Sequence, residues 1–277
     1  MRAIAIIAGK EFRDGVRNRW ILIVTALMAG FAIVLALLGS APTGTTRVSA
    51  LMVTVVSLSS LSIFFVPLIA LLMSYDSIVG ERERGTLMLL LAHPLARWQV
   101  LAGKFLGQLL LLSIAIVIGY GLAGLAIALH DGGEFAEQAW LPFAGLLISS
   151  VLLGAVFLAL GLAVSAGVGE RGTAAGLAIG IWVLFVLVYD LGLLGLLTSK
   201  AAAFLDDGIV TVLLLANPTD VYRIINLAGS QEAQALSALS GLAGAVAVSP
   251  LPLAAILLAW VAIPFVLACL LFRRRQI

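Results

Sequence analysis

Residues 76–104 read DSIVGERERGTLMLLLAHPLARWQVLAGK, with three acids and four bases in 29 residues, and the apolar stretches on either side, 51–75 and 105–129, carry no charge. Each of those stretches is long enough to cross a bilayer at ~1.5 Å of helix rise per residue. A charged segment strung between two such stretches is a connector outside the hydrocarbon. Within it, Glu81, Arg82, Glu83 and Arg84 close one helix in a charged turn, Gly85 interrupts, and Thr86 and Leu87 restart an apolar run that ends at Pro94. The pattern predicts a short helix over residues 85–92, lying across the membrane surface. A helix in that position gives a motor protein outside the bilayer something to move.

Working outward, composition places the whole chain in the membrane. It is 62% hydrophobic and 11% charged, with a mean hydropathy of +1.19, against roughly 45–50% apolar and about 25% charged residues in soluble domains. Six stretches are long enough to span: 20–39, 51–75, 105–129, 141–165, 173–197 and 251–272. Lipid leaves no partner for an open sheet edge, so all six are expected to be helices. The fold class is therefore an all-α membrane protein with six transmembrane helices in a single domain, residues 1–277.

The bases fix an orientation. With the N-terminus inside, the inner pieces carry Arg2, Lys10, Arg13, Arg17, Arg19, Arg82, Arg84, Arg97, Lys104, Arg171, Arg273, Arg274 and Arg275, while Arg47, Lys200 and Arg223 lie outside. The positive-inside rule then puts both termini in the cytoplasm. Seven acids, Asp131, Glu134, Glu137, Asp206, Asp207, Asp220 and Glu232, fall in outer loops, so the formal net charge of +2 reports topology and implies no nucleic-acid partner. A signal peptide is the competing reading of the N-terminus, but its apolar core exceeds the usual ~7–15 residues. Cys269 is the one cysteine, which rules out an intrachain disulfide.

Residues 1–19 precede the first span. Ile4, Ala8, Phe12, Val16 and Trp20 recur every four residues opposite Lys10, Arg13, Asp14 and Arg17, the pattern of an amphipathic interfacial helix; a merely topogenic basic tail is the alternative. The outer segment 198–250 is partly apolar, yet 209–216 and the Ala-, Ser- and Gly-rich stretch 233–248 are too short to cross. They read as re-entrant or interfacial helices sheltered by protein, or as ordinary outer helices.

Several constellations invite function. Gly172, Gly176 and Gly180 form a doubled G-x-x-x-G, which lets helix backbones approach closely, against another helix of this chain or a second copy of it. Asp190 is the one charge within a span, and about 100° per residue puts it on the glycine face. It is a candidate pathway residue or an acid served by water or by a base such as Arg223. Ser59 and Ser60, in a cluster with Ser57 and Ser62 ahead of Pro67, could line a polar path or bond back to their own helix. No metal site is expected: His93 and His130 fall on opposite sides, and Cys269 stands alone. The chain has no G-x-x-x-x-G-K-[ST], H-E-x-x-H or G-x-S-x-G, so no catalytic residue is assigned, and any ATP would be hydrolysed on another chain.

The order KEFRD, two spans, ERERGTLMLLLAHPLARWQVLAGKF, four more spans and a partly membranous outer segment before the last resembles the type-two ABC permease family over essentially the full length. That resemblance implies a homodimer of six-helix subunits. Each would rest a coupling helix on a cytoplasmic ATPase that binds ATP and Mg, with no cofactor in this chain. The contact would be made by Leu87, Leu89 and Leu90 as buried area, with Glu81, Glu83 and Arg84 orienting it around Gly85 and Thr86. Glu170 and Arg171 would form a second cytoplasmic contact. YDSIVGERERGT at 75–86 and NPTDVYRIINL at 217–227 are similar, within that family, to permeases of the complexes that mature the copper centres of nitrous oxide reductase. This implies an ABC ATPase dimer and a periplasmic β-helix copper-handling partner, with copper or sulfur species as cargo.

Two other function classes compete. An ion-coupled secondary transporter needs polar groups near the midplane and has Asp190 alone; an intramembrane enzyme needs a nucleophile and base within the bilayer, and both histidines lie in loops. The charged connector, for which neither has a use, favours the ATP-driven permease.

Overall fold

A computed structural model of the chain describes residues 2–17, 19–38, 50–92, 94–130, 140–199, 206–228 and 250–274, and every regular element among them is helical. In chain order these are α1 (Arg2–Arg17), α2 (Arg19–Leu38), α3 (Ala50–Ser74), α4 (Val79–Glu83), α5 (Thr86–Leu91), α6 (Arg97–His130), α7 (Trp140–Gly167), α8 (Arg171–Val183), a π turn (Leu184–Val188), α9 (Tyr189–Thr198), α10 (Asp207–Leu215), α11 (Pro218–Ala228) and α12 (Pro250–Arg274). His93, Arg47, Lys200, Arg275 and the stretch 233–248, all of which carried expectations, lie outside the described residues.

Five helical stretches are long and apolar enough to cross a membrane: Thr54–Glu83, Arg97–Leu125, Trp140–Gly167, Arg171–Thr198 and Leu251–Arg274. They match the second to sixth expected spans. α2, with 20 residues, covers the first. α10 and α11 are no straight span, being bent by 105° at their junction.

α7 is the central post. It buries residues on all sides from Phe143 to Ala166 and packs against α3 on one flank and α12 on the other, as a helix apolar all round should. The main core gathers around it from Met28, Leu58, Val66, Leu112, Phe157 and Leu257. Pro67 sits within α3 without ending it. Trp182 of α8 donates its indole N–H to the Phe64 carbonyl at 2.9 Å, in the turn where proline disturbs the helix's own hydrogen bonds.

α1 and α2 both pack on α6. The α1 contact is close because α6 offers Gly103 and Gly107. A Cβ at Gly107 would lie 2.7 Å from the Ala8 carbonyl oxygen and from Glu11 Cβ, and one at Gly103 would lie 2.6 Å from Ile7 Cβ. α1 buries Ile7 at this contact, while Val16 of the every-fourth-residue stripe and Ile6 are exposed. Docking on a helix selects the sector that meets the glycines, a choice periodicity alone does not contain.

On the fifth span, one of the two partners open to the glycine face drops out, and Asp190 leaves that face. Gly172, Gly176 and Gly180 have nothing within 4 Å of where a Cβ would stand, so among the described residues this face packs on no helix of its own chain. Their helix is the least covered of the long ones, with 11% of its apolar window buried against 67% for α7. Nor does Asp190 share their environment. The π turn inserts a residue into the helix, so the register carried forward from Gly172 fails beyond it by about 100°. Asp190 turns to α11.

Candidate functional site

The connector between α3 and α6 is built from one short helix, a glycine and a second short helix, and the ends of four other helices hold it. α4 has no cap of its own. The hydroxyl of Ser165, near the end of α7, accepts from the backbone N–H groups of Ile78 and Val79 at 2.9 and 3.1 Å, doing from another helix what an N-cap residue does locally. Gly85 then reverses the chain at φ +71°, a backbone conformation side chains disfavour. The Thr86 hydroxyl bonds back to the Glu81 carbonyl at 3.1 Å, stitching the turn shut.

Charge fastens the connector on two sides. Lys104 of α6 is 2% exposed, and its Nζ lies 2.7 Å from Glu81 and 2.8 Å from Glu11 of α1. Lys10 approaches the same Glu81 oxygen at 3.6 Å. On the other side Arg171, the first residue of α8, pairs through Nε with Asp76 at 2.8 Å, and its backbone N–H donates to the Glu83 carboxylate at 2.8 Å. Glu83 thus caps α8, where the helix dipole favours an anion. Beyond α5, Arg97 donates to the carbonyls of Phe272 and Arg273 at 2.8 and 3.0 Å and lies over the Phe272 ring, so a cation closes the C-terminus of α12.

This geometry divides the residues expected to meet a partner. Leu87, 2% exposed, packs in a second core with Ile7, Ile78, Val100, Leu101 and Phe272, and Leu90 packs partly against it. Leu87 therefore has no area left to offer another protein, and Glu81 is held by Lys104 rather than standing at an exposed rim. These two expectations are corrected: both residues hold the connector inside the subunit. Met88 and Leu89 point the other way, 62% and 71% exposed. Leu89 lies on this exposed side, with Glu83, Arg84 and Thr86 exposed beside it, and Glu170 is the exposed residue preceding α8.

At the far end of α8 and α9 a second polar cluster forms. Arg223 of α11 bonds Asp190 and Asp220, each at 2.5 Å, which is one of the partners open to Asp190 in the sequence. Asn217 donates to Asp220 at 3.0 Å and to the Phe185 carbonyl in the π turn at 3.0 Å. The serine row of α3 splits. Ser60 is exposed and bonds its own Val56 carbonyl at 3.0 Å, while Ser59 is buried. Ser62 reaches the Tyr120 hydroxyl at 2.5 Å, and Ser150 reaches Tyr222 at 3.0 Å. Ser60 therefore lies on the outside of the single subunit. Among the described residues no three of His, Cys, Asp and Glu converge as metal ligands.

Sequence reasoning missed Lys104 as a buried centre, Ser165 as a cap, Asp220 and the tyrosines. A lysine eight residues into α6, with acids at 11 and 81, was the available signal for the first.

The chain matches a family model described as ABC-2 family transporter protein over residues 5–277. It is 47% identical over 276 residues, 99% of both chains, to a protein of Stutzerimonas stutzeri named "Probable ABC transporter permease protein NosY". A protein of Pseudomonas aeruginosa with the same name is 45% identical over 277 residues, covering both chains entirely.

Proposed function

Since the chain belongs to the ABC-2 family of transporter proteins, we propose that its connector is where a separate ATPase subunit grips and moves it. An ABC permease is a membrane-embedded subunit that works with an ATPase subunit. The observation that supports the finer reading is the exposed apolar tip of α5, Met88 and Leu89, on a connector fastened to α1, α6, α7, α8 and α12. Two adjacent exposed apolar side chains ringed by Glu83 and Arg84 have the form of an interface core with a polar rim. Displacement of α5 would be delivered to all five helices at once through the fastenings, whereas a loosely tethered helix would absorb it.

In this reading the connector end and both termini face the cytoplasm, and the partner binds the ATP and Mg. Glu170 and Arg171 form a second contact beside the first. The open Gly172, Gly176, Gly180 face meets the same face of a second copy. The relatives' shared name, NosY, supports a role in copper-site maturation of nitrous oxide reductase with a NosF-like ATPase dimer and a NosD-like periplasmic β-helix protein, handling a copper or sulfur species. The alternative of an ion-coupled transporter is not favoured by the family to which the chain belongs.

Leu89→Asp tests the assignment. Leu89 is exposed, so the charge costs the isolated subunit little. Capture of the ATPase by the purified permease is expected to fall at least about tenfold, the equivalent of one lost interface anchor of ~1.4 kcal/mol or more. ATPase capture at the wild-type level would refute α5 as the contact.

A further inference from the structure

The π turn Leu184–Val188 divides the helical run from Arg171 to Thr198 into α8 and α9, and what holds the two parts differs. α8 is tied at its start to the connector, through Asp76 and Glu83, and along its length to α3 through Trp182. α9 and the π turn are tied by hydrogen bonds to the bent pair α10–α11, while Phe185 of the π turn also packs edge-on against Phe157 of α7 and Trp260 of α12. Asn217 Nδ2 donates to the Phe185 carbonyl at 3.0 Å, and the Thr219 hydroxyl lies 3.2 Å from the same oxygen. Tyr189 donates its hydroxyl to the Leu213 carbonyl at 2.7 Å, and Arg223 bridges Asp190 to Asp220.

The turn between α10 and α11 is shaped for this task. Asn217, Thr219 and Asp220 are each at most 1% exposed. The Asn217 side-chain oxygen accepts from the Thr219 backbone N–H at 3.1 Å, which aims its amide group outward at the π turn. A π turn widens the helix and tips carbonyls away from its axis, so they can accept from outside donors. Such turns are weak points unless something holds them. From Arg171 to Asp190 the rise is about 28 Å, which places the two sets of ties at opposite ends of one helix.

We propose that this helix is jointed at the π turn. Its outer arm, α9, moves as one body with α10–α11, pinned by Asn217, and its inner arm, α8, moves with the connector. The joint stands on these bonds alone; its use in ATP-driven transport rests on the reading above.

The test is hydrogen–deuterium exchange on the purified chain in lipid discs, without any ATPase, comparing wild type with Asn217→Ala. Loss of the pin removes a buried donor from the Phe185 carbonyl and from Asp220. Exchange in residues 189–198 is expected to rise about tenfold or more, with residues 171–183 staying within about twofold. A rise shared equally by both arms would mean one rigid helix, and no rise in the outer arm would mean no pin; either overturns the proposal. If Asn217→Ala does not accumulate, Thr219→Val, nearly isosteric and leaving Asn217 in place, is expected to give the same asymmetry at smaller size, and its absence overturns the proposal equally. ATPase capture by the variant is expected at the wild-type level. A wild-type chain that captures no ATPase would defeat the transport reading and leave the exchange result standing.

Discussion

Lys104 is a cation with almost no contact with solvent, shared between two carboxylates that belong to different helices. Burying an ammonium is costly, and its attraction to Glu11 and Glu81 offsets that cost only while all three are present. Lys104→Met is therefore expected to destabilise the subunit by about 3–5 kcal/mol, the range for removing one member of a buried pair. Adding Glu11→Gln and Glu81→Gln should recover much of the loss. Thermal unfolding of the purified variants in detergent checks both, and a triple variant no more stable than Lys104→Met would show that the carboxylates are not the cause. In the sequence Lys104 reads as one more inner base flanking a span, because nothing local distinguishes a surface lysine from one that α1 will cover. Asp190 and Arg223 were easier. Asp190 stood alone among apolar neighbours, and a lone acid in such surroundings needs a base within reach, which Arg223 was among those able to supply.

At the scale of elements, the chain contains small-residue motifs on α6 and on α8 that look alike in sequence and do different work. Gly103 and Gly107 bring α1 onto α6, whereas Gly172, Gly176 and Gly180 meet nothing in the subunit. Gly107→Leu should force α1 off α6 and lower stability by ~1–3 kcal/mol, the usual cost of overpacking. Gly176→Leu should leave the subunit's stability unchanged and abolish the proposed pairing of two copies. Melting temperature and mass in detergent separate the outcomes: a Gly176→Leu variant that is still a wild-type dimer defeats the pairing. The sequence showed the tandem glycines of α8 plainly but could not say what lies opposite them, since that depends on lateral packing. The π turn was equally hidden. Leu184 to Val188 are ordinary apolar residues, and extrapolating one helical register across them produced the misplaced face for Asp190. The connector was legible almost residue by residue, because Gly85 and the charged turn before it are local signals; which leucines face inward was not.

For the whole molecule, length and hydropathy sufficed to give the helical class and five of the six expected long apolar helices. They could not give the central place of α7 or the convergence of α1, α6, α7, α8 and α12 on one connector. That convergence turns a short surface helix into a handle on the transmembrane bundle. The most direct measurement places a photo-reactive amino acid at Leu89 in the membrane-embedded complex, with Leu177 on the exposed face of α8 as a control position. On irradiation, Leu89 is expected to give a covalent adduct with an ATPase subunit, and Leu177 to give adducts with lipid or a second copy of the chain but none with the ATPase. Adducts with the ATPase from Leu177 and none from Leu89 would contradict the account.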